Sequence, residues 1–113
     1  MKNKAFFPLY VDLEGKLAVI VGGGRVATRR AAALSKFTRN IRVVAPKITP
    51  QLEEMVKTGA VAWVNRKCMR TDLSDAYMVL AATNDRRVND DLYRICKKEG
   101  IYVNVASDKE KCD

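Results

Sequence analysis

Apolar residues gather along this chain in five short runs, at residues 17–21, 41–45, 61–64, 77–82 and 101–105. The first and fourth are almost continuously apolar, as strands buried on both faces of a parallel sheet are. Helical spacing fills the intervals. Ala27, Ala31 and Leu34 follow an i, i+4, i+7 pattern that puts small residues on one face. Thr49 and Pro50 read as an N-cap and first helical position, Leu52, Met55 and Val56 as a buried face, and Gly59 as the C-terminal stop. A third helix begins at a cap formed by Asn84 or Asp85, buries Val88, Leu92, Ile95 and Cys96, and ends at Gly100. Residues 65–76 are too short and polar for a crossover helix, so a loop with one helical turn is expected there.

Strands alternating with helices in this rhythm predict an α/β fold, a Rossmann-like doubly wound parallel five-stranded sheet. The expected strand order is 3-2-1-4-5, with its switch point beside the first strand. No repeat, low-complexity segment or linker divides the chain, so residues 1–113 read as one domain.

The first turn carries the chemistry. Gly22-Gly23-Gly24 follows an apolar strand and opens a helix, the context in which G-x-G-x-x-A has physical meaning. Gly22 permits the tight turn, and Gly24 lets a pyrophosphate approach the backbone. Ala27 keeps the helix near the sheet, and the helix N-terminus offers N–H groups to phosphate. The same pattern also suits a tight strand–helix connection that binds nothing. The acidic residue that commonly ends the second strand and holds a ribose is missing. Ala45, Pro46 and Lys47 stand there instead, and Lys47 alone would suit a 2′-phosphate, so the residues leave NAD and NADP open.

Two polar clusters follow at later strand ends. Thr83 and Asn84 should face the crevice and cap the third helix, while Asn104, Ser107 and Asp108 close the fifth strand, where such a polar set is a turn more often than a catalytic group.

Composition narrows the function classes. The formal charge of +8 suits nucleic acid, an acidic membrane surface, a polyanionic small molecule or merely a solvated surface. The cations are spread along the chain and not interleaved with aromatics, which disfavours single-strand binding. A duplex reader would need a helix of clustered arginines, and the one candidate, residues 25–30, already belongs to the glycine turn. Nucleic acid is therefore not expected as a partner. No apolar run approaches the roughly 20 residues of a membrane span, and residues 1–16 lack the features of a secretory signal. Cys68, Cys96 and Cys112 are an odd set at wide spacing in a chain without histidine. They fit neither a disulfide framework nor a zinc site, so no metal is expected, and reduced thiols in a cytoplasm are the simplest reading.

Three segments together carry a resemblance: FPLYVDLEGKLAVIVGGGRVATRRAAAL, then RVVAPKITPQL, then VLAATNDRRVN with VNVASDKEKCD. In order and spacing they resemble the N-terminal domain of siroheme synthase and the stand-alone precorrin-2 dehydrogenases. The resemblance implies oxidation of precorrin-2, a polycarboxylate tetrapyrrole, to sirohydrochlorin, with NAD as hydride acceptor. Some members also insert ferrous iron. A basic chain suits such a substrate, because arginine and lysine pair with carboxylates. By position, the resemblance places the cofactor on Gly22, Gly24, Arg25 and Val26, with Pro46 and Lys47 near the adenosine. Thr83, Asn84, Asn104 and Val105 would border the nicotinamide. An aspartate after the fifth strand is the implied acid/base group. Ser107 stands where that aspartate often stands, which makes the adjacent Asp108 the candidate general base.

Members of that family continue into a dimerisation region and a helical tail, and the full-length proteins are expected to be homodimers. The present sequence stops shortly after its fifth strand, as an NAD-binding part alone would. It is expected to fold, to bind NAD and to turn over precorrin-2 poorly. The rival reading is a non-catalytic NAD(H)-sensing domain, but sensors of that kind usually keep the acidic residue after the second strand that this chain lacks.

Overall fold

A computed structural model describes residues 12–106. Its strands are β1 (Ala18–Val21), β2 (Ile41–Val44), β3 (Ala62–Val64), β4 (Met78–Ala81) and β5 (Tyr102–Val105), and its helices are α1 (Arg25–Leu34), α2 (Pro50–Thr58) and α3 (Arg86–Glu99). The sheet is parallel throughout, in the order β3-β2-β1-β4-β5. This is the doubly wound order expected from the sequence. Each strand is a residue or two shorter than its apolar run, because the ladder continues as single bonds past the regular pairing. Tyr77 N–H donates to the Leu17 carbonyl, Ala45 N–H to Val64, and Ala82 N–H to Val21.

Alternation along the strands splits the core into two faces. Ile20, Val43 and Leu80 point to one side, where Val26, Ala27 and Ala31 of α1 and Leu52 of α2 cover them. Val19, Val21, Val44, Val79 and Ala81 point to the other, beneath Leu92 and Cys96 of α3 and Leu73. Alanines at positions 27 and 31 are fully buried, which brings α1 close to the sheet as its small-residue face predicts.

Thr49 caps α2 by accepting Leu52 N–H at 3.2 Å, and α2 and α3 stop at Gly59 and Gly100. Asp85, of the two possible residues, caps α3: its Oδ1 accepts N–H from Arg87 at 2.9 Å and Val88 at 3.3 Å. The buried stripe of α3 differs from expectation. It runs through Asn89, Leu92 and Cys96, with Ile95 half-buried, while Val88 is turned out.

Residues 65–76 form the expected loop, with a 3₁₀ turn over Arg70–Leu73. Two arginine–carboxylate pairs fix it. Arg66 grips the buried Asp72 with bonds of 2.6 and 2.7 Å, and Arg42 of β2 holds Asp75 at 3.1 and 3.3 Å. The Arg66 bonds hold the Asp72 carboxyl below its ordinary value of 3.8, helped by Met69 N–H, and Arg42 does the same for Asp75. A lowered folded pKa stabilises the fold above the unfolded value and loses that contribution as pH falls through the folded one. Stability is therefore expected to hold from neutrality down to about pH 4 and to fall below it. Asp72→Asn should be less stable at pH 7 yet lose less on acidification. Urea midpoints measured from pH 7 to pH 2 check this, and parallel curves for the two proteins would refute it.

Candidate functional site

The C-terminal ends of the strands open onto a cleft of about 730 Å³, a size suited to a small-molecule or cofactor site. Its floor is Val21, Val44 and Ala82 at the tops of three adjacent strands. Three loops wall it: the glycine turn, the segment after β2, and the turn from β4 into α3.

The three glycines do different work. Gly22 has φ +127°, and a Cβ there would stand 2.4 Å from the Ala82 carbonyl oxygen, so both backbone and neighbour demand glycine. A Cβ on Gly23 would stand 1.9 Å from the Lys47 carbonyl oxygen. Gly24 is exposed, and a Cβ there would meet nothing within 4 Å. It is the residue before α1, whose N-terminus has no side-chain cap and no acid in its first turn. The open space at Gly24 and the uncapped end of α1 suit the pyrophosphate of a dinucleotide.

Hydrogen bonds hold the turn to its neighbour. Thr49 N–H donates to the Gly23 carbonyl at 3.0 Å. The Thr28 hydroxyl donates to the Gly24 carbonyl at 2.7 Å, leaving its oxygen to accept from the Thr49 hydroxyl, also at 2.7 Å. Below the segment after β2, Trp63 Nε1–H donates to the Ala45 carbonyl at 2.8 Å.

On the opposite wall, buried Asn89 clamps Thr83. Its Oδ1 accepts Thr83 N–H at 3.2 Å and the Thr83 hydroxyl at 2.7 Å, and its Nδ2 donates to the Thr83 carbonyl at 3.0 Å. Thr83 is thus tied into the turn and does not cap α3, because Asp85 does. Val88, 36% exposed, presents its side chain to the cleft. Lys67 and Cys68 complete the rim. Burial pushes the Cys68 thiol up to about 11, so it is a protonated, weakly nucleophilic group at neutral pH.

The cleft is cationic. Arg25, Lys47 and Lys67 line it, against Asp85 as the one carboxylate on its walls among the described residues. That carboxylate is engaged by the first turn of α3.

Of the residues singled out in the sequence, Gly22, Gly24, Arg25, Val26, Pro46, Lys47, Thr83 and Asn84 come together around this cleft. Asn104 and Val105 do not. They sit on the edge strand β5, paired with Leu80 and Ala81, so that β4 stands between them and the glycine turn. Phe7-Pro8-Leu9, Ser107, Asp108 and Cys112 lie outside the described residues. Gly23, Trp63, Lys67, Val88 and Asn89 were not foreseen as parts of the site, nor was Cys68. Among the described residues, no cluster of three or more His, Cys, Asp or Glu side chains could hold a metal, and no helix is long and apolar enough to cross a membrane.

An open glycine turn at the switch point of this strand order defines the class, a Rossmann-like fold of the dinucleotide-binding type. Comparison with known proteins names the family. The chain belongs to the putative NAD(P)-binding family, whose model matches residues 9–113. It is 39% identical over 106 residues to the probable multifunctional siroheme biosynthesis protein HemA of Ruminiclostridium josui, covering 94% of this chain and 21% of that one. It is 32% identical over 108 residues to the siroheme synthase of Nitrosococcus oceani, covering 96% and 23%. Among solved structures it superposes on SirC, a precorrin-2 dehydrogenase, with a TM-score of 0.79 and 31% identity, over 89% of this chain and 49% of that one. The chain thus spans about a fifth to a quarter of the length of these sequence relatives.

Proposed function

We propose that this domain binds the nicotinamide cofactor of a precorrin-2 dehydrogenase, and that the cofactor is NAD. The observation that carries the reading is the likeness to SirC over 89% of the chain. The cleft supports it independently, because Gly24 leaves room where a pyrophosphate needs it. When bound, the cofactor supplies a hydride acceptor. The chain's own residues supply the rest. Gly24 and the N-terminus of α1 receive the pyrophosphate, the segment from Pro46 to Lys47 flanks the adenosine, and Thr83 and Asn84 border the nicotinamide. The substrate is precorrin-2, whose carboxylates pair with surface lysines and arginines. Asp108 is the general base that takes a proton from the ring as it is oxidised. The protein is a cytoplasmic enzyme of siroheme formation, dimeric in its full-length form, with neither nucleic acid nor membrane as a partner.

Two measurements test this. NAD titrated into the chain in a calorimeter should bind. Precorrin-2 and NAD should then give the sirohydrochlorin absorption spectrum when this domain replaces its counterpart in a siroheme synthase, and Asp108→Ala should slow that reaction at least tenfold, to the order expected for loss of a general base. Full turnover by Asp108→Ala would remove the assignment of the base. Binding of NAD with no sirohydrochlorin would turn the reading toward a sensing domain.

A further inference from the structure

We infer that Thr28 is a positioning residue for the dinucleotide: its hydroxyl, backed by Thr49, fixes the Gly24 peptide group against which the pyrophosphate lies. The inference rests on the dinucleotide reading of the cleft and adds to it a side chain outside the cleft's own lining. A carbonyl oxygen facing the phosphates would repel them, so a turn that receives an anion must hold its carbonyls aside. The carbonyls of Gly23 and Gly24 are both held. Gly23 accepts Thr49 N–H at 3.0 Å, and Gly24 accepts Thr28 N–H at 2.9 Å and the Thr28 hydroxyl at 2.7 Å. The peptides are trans, so each N–H points opposite to the carbonyl of its own plane. The bond from Thr49 to the Gly23 carbonyl therefore sets the direction of Gly24 N–H, which donates to no group among the described residues.

A threonine hydroxyl bonded to the carbonyl four residues back is commonplace within a helix. At Thr28 the bond continues into another element. The Thr28 oxygen accepts from the hydroxyl of Thr49, 21 residues away, at 2.7 Å, and the Thr49 oxygen accepts Leu52 N–H at 3.2 Å. Each hydroxyl donates once and accepts in turn, so a chain of bonds runs from the first turn of α2 to the Gly24 carbonyl, each polarising the next. The same two segments meet again where Gly23 lies against the Lys47 carbonyl, with no room for a methyl between them. The turn that receives the pyrophosphate and the segment that flanks the adenosine thus keep one spacing, and Thr28 carries it to Gly24. Thr28 is half-buried and does not line the cleft, so it acts through Gly24 and not on the cofactor directly.

Thr49 also caps α2, so Thr28 is the position at which this link can be cut alone. Thr28→Val keeps the shape of the side chain and removes the hydroxyl, whereas Thr28→Ser keeps the hydroxyl. Calorimetry on the unaltered chain and both variants gives dissociation constants for NAD and for ADP-ribose, which is NAD without its nicotinamide. Urea curves establish that each protein is folded at the temperature of titration. Thr28→Val should weaken both ligands by a common factor of about three- to tenfold, the size of one hydrogen bond, and Thr28→Ser should bind within about twofold of the unaltered chain. A merely structural role would lower the urea midpoint of Thr28→Val and leave both constants unmoved. That result overturns the positioning role and leaves the dinucleotide cleft in place. A loss for NAD that ADP-ribose does not share overturns it too, because the effect would then lie at the nicotinamide. So does a Thr28→Ser protein that binds no better than Thr28→Val. If the unaltered chain binds neither ligand, the cleft reading falls and the positioning role with it.

Discussion

A methyl group added at Gly23 is expected to strip the domain of much of its stability, whereas one added at Gly24 should leave the fold intact and close the cleft to dinucleotides. At Gly23 the new Cβ would fall 1.9 Å from the Lys47 carbonyl oxygen and 3.0 Å from both Lys47 C and Ile48 Cγ2. The backbone has little freedom to retreat. Thr49 N–H is bonded to Gly23, Thr49 also caps α2, and Pro50 follows immediately. Overpacking against fixed backbone puts the loss at about 2–4 kcal/mol, a large part of the roughly 5–15 kcal/mol that holds such a domain together. Gly24→Ala meets open space at an ordinary φ of −94° and forfeits glycine's advantage over alanine at an N-cap, up to about 1 kcal/mol and well below the loss at Gly23. Its urea midpoint should stay close to that of the parent. A pyrophosphate lying against the turn would meet that methyl, and NAD affinity should drop by about ten- to a hundredfold. Denaturation curves and NAD titrations on the two variants check both halves. A Gly24→Ala protein with undiminished NAD affinity would mean that the phosphates do not pass there.

The contrast between those glycines also marks what the sequence could disclose. The G-x-G-x-x-A spacing assigns tasks to Gly22, Gly24 and Ala27 and leaves the middle position free, since the pattern is local. Gly23 is constrained by a carbonyl that arrives from the end of a different strand, and only the β1–β2 register puts it there. Lys67 and Cys68 escaped for the same reason: their place on the rim follows from β3 lying beside β2. The strand order was legible because buried parallel strands are written as unbroken Val, Ile, Leu and Ala, and because Thr49, Gly59 and Gly100 are residues that mark helix limits. Asn104 and Val105 enter by resemblance alone: they stand on β5, one strand beyond the β4 end that leads to Thr83 and Asn84, and no local pattern marks them as cofactor contacts. On α3, apolarity favoured Val88 for the core, but the adjacent Asn89 occupies it. Hydrophobic periodicity has no means of detecting a position that is buried to satisfy a loop's backbone.

That asparagine carries the second large effect. The turn from β4 into α3 must leave the sheet at the cleft, and the N–H and C=O of Thr83 find their partners in one side-chain amide. Asn89 is 4% exposed, so water could not readily take over those bonds once the amide was gone. Asn89→Ala is therefore expected to cost about 2–4 kcal/mol and to lower affinity for NAD as the wall at Thr83 and Asn84 loosens. Asn89→Asp keeps the acceptor oxygen for Thr83 N–H but loses the Nδ2 donor and buries a charge, so it should not restore stability. Thr83→Val removes the hydroxyl, with its 2.7 Å bond to Asn89 and its contacts with the Asp85 N–H at 3.2 Å and carbonyl at 3.0 Å, and leaves both backbone bonds to Asn89 intact. It should cost about 1 kcal/mol, well below Asn89→Ala. A double-mutant cycle between the two positions should return a coupling below that cost, because the hydroxyl contacts with Asp85 survive in Asn89→Ala and do not enter it. The difference between that coupling and the full cost of Asn89→Ala includes the backbone bonds, together with the packing lost with the side chain. If Asn89→Ala cost no more than Thr83→Val, the amide would be doing nothing for the backbone, and the turn would have to be held by Asp85 alone.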